Sequence, residues 1–179
     1  MTNSLLTRKQ AKGSDYFYTP EYGIKLLSEE IKDYNFKSMW ECSAGDGRMA
    51  QYFRNLGYKV KATDARGYEG VGEFDFLSQT SRRRYDFIFT NPPYSIKNKF
   101  ILKCEEYNVV YALLLPLTAL EGKVRQKVWA RGTKILLPNK RINFEKVGME
   151  KGTAWFATAW FLRDNRFDGC QIKFKELDR

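Results

Sequence analysis

Ser38-Met39-Trp40-Glu41-Cys42-Ser43-Ala44-Gly45-Asp46-Gly47 is the stretch that decides the fold. Ser38 to Cys42 reads as a short strand, the glycines as a tight turn, and Gly47 to Leu56 as a helix that Gly57 stops. On the C-terminal side, Lys59 to Asp64 alternates like a strand, a further strand is expected before Asp75, and Tyr85 to Thr90 is a β-rich run ending at Asn-Pro-Pro. Ser95 to Tyr107 is helical, and Val109 to Pro116 is apolar throughout, as a strand covered on both faces should be. Leu120 to Ala130 reads as an amphipathic basic helix closed by Gly132. On the N-terminal side, Thr19 as N-cap, Pro20 at the first helical position and Glu21 in the first turn open a helix whose apolar positions are Ile24, Leu26, Leu27 and Ile31. Thr133 to Leu137 and Thr153 to Leu162 have no helix-length segment between them, so an antiparallel pair at one edge is expected. The remainder is β-α-β alternation. That predicts an α/β protein with a mostly parallel sheet and helices on both faces.

The 179 residues suit one domain, with a polar arm over Met1 to Ser14 and a single domain over 15–179. The composition, 43% hydrophobic and 29% charged, is that of a globular chain. The longest apolar run, Val109 to Leu117, is about half the ~18 residues of a membrane helix, and the N-terminus lacks the apolar stretch of a signal peptide. A cytoplasmic protein without membrane contact is expected. Cys42, Cys104 and Cys170 are scattered, which argues against a disulfide framework or zinc ribbon and for buried free thiols. There is no histidine, so imidazole bases, Ser-His or Cys-His pairs and histidine metal sites are excluded, and no metal is expected. Lys and Arg total 31 against 21 Asp and Glu; between Ser81 and Glu145 stand 13 basic and 5 acidic residues. A polyanionic partner suits that surface.

A glycine turn between strand and helix lets backbone approach a ligand at the helix N-terminus, the place of a nucleoside cofactor in an open α/β sheet. Asp64, at the end of the next strand, can accept hydrogen bonds from two ribose hydroxyls. Asp75 has a comparable position one strand later and can accept from an adenine amino group, while Phe76 packs on the ring. Ala50 stands where a dinucleotide fingerprint has its third glycine, and there is no G-K-[ST] phosphate loop. Glu41 and Asp46 would also repel a pyrophosphate. S-adenosylmethionine, carrying an ammonium and a sulfonium, fits better.

Asn91-Pro92-Pro93-Tyr94 is the most informative short motif. Two prolines fix φ and remove two donors, so the loop offers carbonyls and the Asn91 side chain as acceptors. An exocyclic amino group conjugated to a purine is a poor nucleophile. If Asn91 Oδ1 and the Pro92 carbonyl each accept one of its hydrogens, they hold the nitrogen in line with a methyl donor and favour its tetrahedral form. No general base is needed before transfer, consistent with the missing histidine. Tyr94 supplies a flat face on which an extruded base can stack.

With these residues in view, the chain resembles the S-adenosylmethionine-dependent N6-adenine methyltransferases, of the small kind carried by bacteriophages and mobile elements, over roughly Asp15 to Leu162. Tyr18-Thr19-Pro20 resembles the family's N-terminal cofactor motif, in which the threonine contacts the methionine carboxylate. Glu41, Ser43, Ala44, Gly45 and Gly47 lie in what resembles the methionine-binding turn, with Glu41 near the cofactor's amino group. Asp64 and Asp75-Phe76 match the ribose and adenine positions, and Asn91 to Tyr94 the catalytic tetrapeptide. Arg141 to Phe144 followed by Gly152 to Phe161 resembles a phage-type C-terminal hairpin, whose aromatic packs on the flipped base; Phe156 is the first choice and Trp155 the second. The resemblance implies a Rossmann-like class I methyltransferase fold with a seven-stranded sheet and a C-terminal antiparallel hairpin.

The chain departs from sequence-reading members in having only 17 residues after Leu162, so target recognition falls to loops or to a second subunit. DNA is the favoured substrate. The same tetrapeptide also supports methylation of a base amino group in structured RNA, or of a protein glutamine as in release-factor methyltransferases. Those enzymes generally carry an additional N-terminal helical domain. A non-catalytic binding module is disfavoured because the cofactor and catalytic positions are filled.

Overall fold

The computed structural model describes residues 17–144 and 156–177. In chain order the elements are α1 (Glu21–Ile31), β1 (Met39–Glu41), α2 (Arg48–Asn55), β2 (Val60–Asp64), β3 (Gly72–Glu73), β4 (Phe87–Thr90), α3 (Lys97–Tyr107), β5 (Val110–Pro116), α4 (Lys123–Trp129), β6 (Thr133–Pro138), β7 (Thr158–Arg163) and β8 (Cys170–Lys175). Short 3-10 turns lie at Tyr94–Ile96 and Leu117–Leu120. The chain forms two compact units, one from Phe36 to Val109, the other combining Phe17–Asn35 with the chain from Val110 onward.

In the first unit the strands run in the order β3-β2-β1-β4, all parallel. Glu41 lies opposite Ala62 on one side and Phe89 on the other, and Asp64 lies opposite Glu73. The carboxyl ends of the strands therefore share one edge. β1 and β4 are buried along their whole length, which is why these segments read as apolar without alternation. Trp40 is the centre of the packing: its Nε1–H donates to Thr63 Oγ1 at 2.7 Å, its ring stacks on Tyr85 at 4.9 Å, and Phe74, Phe76 and Tyr107 meet it edge-on. The indole is thus buried with its one donor satisfied.

The second unit has the order β5-β7-β6-β8, with β7 antiparallel to both neighbours and β6 parallel to β8. Helix α1 is tied to it by Trp160 Nε1–H donating to Gly23 O at 2.8 Å and by Glu30, whose carboxylate accepts from Lys134, Lys173 and Lys175. Among the described residues no helix is long and apolar enough to cross a membrane.

The α/β class, the parallel strands and the antiparallel β6/β7 pair agree with the sequence reading. Other details are corrected. The described residues contain eight strands, not seven: β8 was missed because its residues are exposed on both faces apart from half-buried Lys175, so it shows no in–out pattern. β8 also pairs with β6, so the antiparallel pair is not at the edge. Pro20 is the N-cap of α1, not its first helical residue: its ψ of 156° is extended, and its carbonyl accepts from Gly23 and Ile24 N–H. The predicted Leu120–Ala130 helix shortens to α4 because Leu117–Leu120 tightens into a 3-10 turn and Glu121 is extended. Likewise α3 starts at Lys97, after a 3-10 turn. β7 begins at Thr158, after Phe156 and Ala157; residues 153–155 of the predicted strand lie outside the described residues. Cys42 and Cys104 are buried as expected, whereas Cys170 is exposed.

Candidate active site at the carboxyl edge of the parallel strands

Strand order makes the carboxyl edge of the first unit a crevice. From β1 the chain crosses to β2 on one side, while β4 lies on the other, so the connections diverge above β1. Ser43, just past β1, is held from β4 by Thr90 Oγ1–H donating to its carbonyl at 2.9 Å, and Ala44 N–H donates to Thr63 O at 2.9 Å on β2. The glycine turn is therefore fixed to both flanking strand ends. Gly45 and Gly47 have φ of 56° and 80°, and a Cβ on Gly47 would come 3.0 Å from Val71 Cγ2. A side chain there would meet both strain and a clash. Ala44, Ala50 and Ala62 form a small apolar cluster, with Val60 and Val71 against it.

Glu41, at the end of β1, is 1% exposed. Its Oε2 accepts the Ala50 N–H at 2.7 Å, in the first turn of α2. That cap is favourable for an acid at a helix N-terminus. Its Oε1 is also buried, yet accepts no hydrogen bond from the described residues. Burial pushes its pKa well above the ordinary carboxylate value, the Ala50 bond opposes the rise, and the negative Asp46 and Asp64 add to it. A ligand bringing positive charge and N–H donors would relieve both the missing hydrogen bond and the repulsion.

Asp64 ends β2 and is 3% exposed. Its Oδ2 accepts Gly45 N–H at 3.0 Å and Ser43 Oγ–H at 3.5 Å; its Oδ1 accepts Arg66 N–H at 3.0 Å and Arg66 Nε–H at 3.3 Å. The carboxylate thus first locks the turn. The bonds from the Ser43 hydroxyl and Arg66 Nε are the longest of the four. Arg66 and Thr90 were not identified from the sequence; a lone strand-end threonine or loop arginine carries no distinguishing signal there.

Asp75, two residues past β3, makes a local turn: Oδ1 accepts Leu77 N–H at 3.0 Å, and Gln79 N–H donates to its carbonyl at 2.9 Å. Phe76 is 2% exposed, stacked on Phe100 and Tyr107 at 5.6 Å and edge-on to Trp40. The ring thus takes part in the aromatic packing of the first unit, next in sequence to Asp75. Periodicity could not reveal this, because its partners come from β1 and α3.

Asn91, Pro92, Pro93 and Tyr94 follow Thr90 directly, at the same edge. Pro92 is buried; Asn91, Pro93 and Tyr94 are half-buried. The Pro93 carbonyl accepts Ile96 N–H at 3.2 Å and the Tyr94 carbonyl accepts Lys97 Nζ at 3.2 Å. Arg82, Arg83 and Arg84, by contrast, precede β4 and lie towards the amino end of the strands, away from this edge.

The remaining described candidates are in the second unit. Tyr18, Thr19 and Pro20 are in the second unit, where Tyr18 makes a short bridge and Thr19 is 2% exposed with its methyl near Gly23. Phe156, also in that unit, is half-buried, and the adjacent Ala157 carbonyl accepts Leu117 N–H at 3.0 Å. Trp155 lies outside the described residues.

No family model matches the sequence, and a search of curated proteins found no match. Solved structures do resemble it. A Listeria monocytogenes protein classed as a class I S-adenosylmethionine-dependent methyltransferase gives a TM-score of 0.60 at 14% identity, over 98% of this chain and 70% of that one. The DrdV–DNA complex gives 0.57 at 10% identity, over 96% of this chain and 28% of that one. The 23S rRNA methyltransferase ErmE gives 0.54 at 14% identity, over 83% of this chain and 70% of that one. At these identities the likeness shows the fold, which is Rossmann-like and of the class I methyltransferase type.

Proposed function

We propose that this protein transfers a methyl group from S-adenosylmethionine to the N6 amino group of adenine in nucleic acid, with DNA as the favoured polymer. The observation that carries the proposal is the Thr90–Ser43 hydrogen bond, which ties the acidic glycine turn to the start of Asn91-Pro92-Pro93-Tyr94. A cationic cofactor on the turn and an acceptor loop for an amino group would then be neighbours at one edge. The orphaned Glu41 Oε1 among carboxylates fits the cofactor's charge. Glu41, Ser43, Ala44, Gly45, Gly47, Asp64 and Asp75 would hold it, with Phe76 as anchor; the family pattern adds Tyr18, Thr19 and Pro20. The cofactor supplies an electrophilic methyl group. Asn91 Oδ1 and the Pro92 carbonyl accept the two amino hydrogens and orient the nitrogen, and Pro93 stiffens the loop. Tyr94 stacks the extruded base, with Phe156 or Trp155 as the second aromatic.

A second reading, a base amino group in structured RNA, keeps every residue role and is favoured by the likeness to the rRNA methyltransferase. Incubation with methyl-labelled S-adenosylmethionine and separate DNA, RNA and protein pools, followed by digestion, tests both. Label in N6-methyladenine of DNA is expected. Label in RNA moves the activity to that polymer, and label in protein glutamine, or in no pool, overturns the proposal.

A further inference from the structure

The amino edge of the same parallel strands carries a second charged feature. A cleft of about 330 Å3 is lined by the amino ends of β1 and β2 and by the segment that leads into β4, with Arg54, Lys59, Lys61 and Arg83 as its cations. All four are exposed, and among the described residues none is paired with a carboxylate. Arg54 is positioned by donating Nε–H and Nη2–H to Val60 O at 3.1 and 3.0 Å, and Arg83 stands 5.7 Å over the Tyr85 ring. Lys61 extends across Gly72, where a Cβ would come 3.1 Å from its Nζ. The nearby carboxylate, Asp86, is already engaged: one of its oxygens accepts from Lys37 N–H, Ser38 N–H and the Ser38 hydroxyl. The cluster is therefore net positive, and Arg54 and Arg83 are positioned by groups other than acids.

We infer that this cleft binds a phosphodiester strand, as a contact site remote from the methyl-transfer edge. A pocket for one small anion would converge its donors on a single buried point. Here the cations are exposed and spread side by side, and exposed Lys37, Arg82 and Arg84 continue the charge beyond the cleft. That layout follows a polyanion. Val60 and Asp64, at opposite ends of β2, are four residues apart, about 13 Å at ~3.3 Å per residue. The cleft therefore retains the polymer without touching the reacting base. The inference deepens the nucleic-acid reading and rests on it for the identity of the polymer.

The test compares the full-length wild-type chain with a Lys59→Ala/Lys61→Ala/Arg83→Ala variant. Arg54 is kept because it braces Val60. A control, Lys25→Ala/Lys32→Ala/Lys103→Ala, removes equal charge outside the cleft. Binding of a short DNA duplex and of an RNA hairpin is followed by fluorescence anisotropy across a salt series, with cofactor affinity as the folding check. Each phosphate that a variant no longer neutralises lowers the slope of log K against log salt by about 0.9 on duplex DNA, so a reduction of about 2–3 is expected for the cleft variant and none of that size for the control. A response on one polymer alone identifies the source of the phosphodiester. An unchanged slope, an equal effect in the control, or no polymer binding by the wild type overturns the inference. Cleft-dependent binding without methyl transfer would instead sink the adenine reading and leave the cleft standing.

Discussion

Glu41→Gln separates what this residue does for stability from what it does for the ligand. The substitution keeps an oxygen to accept the Ala50 N–H but removes a titratable carboxyl that is 1% exposed near Asp46 and Asp64. Because burial raises the folded-state pKa of Glu41 above its ordinary 4.5, the folded wild type holds this proton more tightly than the unfolded chain does. Below pH 4.5 both states are protonated and the residue costs nothing. As pH rises from there towards the raised pKa, the unfolded chain ionises first and wild-type stability falls; above it the loss is complete. At pH 7 the interval from 4.5, at about 1.4 kcal/mol per pH unit, caps the loss at about 3–4 kcal/mol. The variant lacks this dependence while sharing every other titrating group. Any cost of burying the new amide adds a nearly pH-independent offset. Urea unfolding of both proteins from pH 4 to pH 8 should therefore show the difference moving in favour of Glu41→Gln as pH rises, by no more than that cap at pH 7. Over the same series, calorimetry should show cofactor binding weakened about tenfold to a hundredfold, the scale of a hydrogen bond to a charged group. Parallel stability curves would refute the raised pKa; a variant that binds the cofactor as tightly as wild type would refute the assignment of the orphaned oxygen.

Other outcomes are expected from the same reasoning. Asn91→Ala should abolish methyl transfer with little change in cofactor affinity; turnover within about tenfold of wild type would remove Asn91 from the reaction. Asp64→Ala should weaken cofactor binding by about 1–3 kcal/mol and also lower thermal stability, because the turn loses the anchor of Gly45 N–H. An unchanged dissociation constant would leave Asp64 as a structural clasp alone. Glu30 accepts from three lysines and its pKa is lowered to about 2, so its stabilisation is present above 4.5 and lost as pH falls through about 2. After discounting for the exposed lysines, Glu30→Gln should cost about 1–2 kcal/mol at pH 7 and flatten the stability profile between pH 5 and pH 2; equal profiles would contradict the ion cluster.

The elements legible in the sequence were those whose local signals agree with their burial. The strand–glycine–helix stretch around Gly45 and Gly47 is one, because the turn needs φ above zero and the strand before it is wholly covered. The uniform apolarity of β5 marked a central strand for the same reason. β8 was invisible because its exposed Ile172 and Phe174 and its lysines carry no buried face to read. At the site, the carboxylates at strand ends could be listed from spacing, but their partners could not. That Asp64 is already bonded by Gly45 and Arg66, and that Phe76 is spent on Trp40, Phe100 and Tyr107, depends on contacts between segments distant in sequence. The amino-edge cleft was hidden for a related reason. Its cations come from two separate stretches, Arg54 to Lys61 and the run at Arg83, and the parallel register gathers them.

A crystal structure with bound S-adenosylmethionine tests the central claim most directly. The account predicts the cofactor's ammonium beside Glu41 and its sulfonium methyl facing the Asn91–Pro92 acceptors, leaving an amino nitrogen held there within a near-attack distance of about 3–3.5 Å. A cofactor seated at the amino edge, or with its methyl turned away from Asn91 or more than about 10 Å from it, would contradict the account.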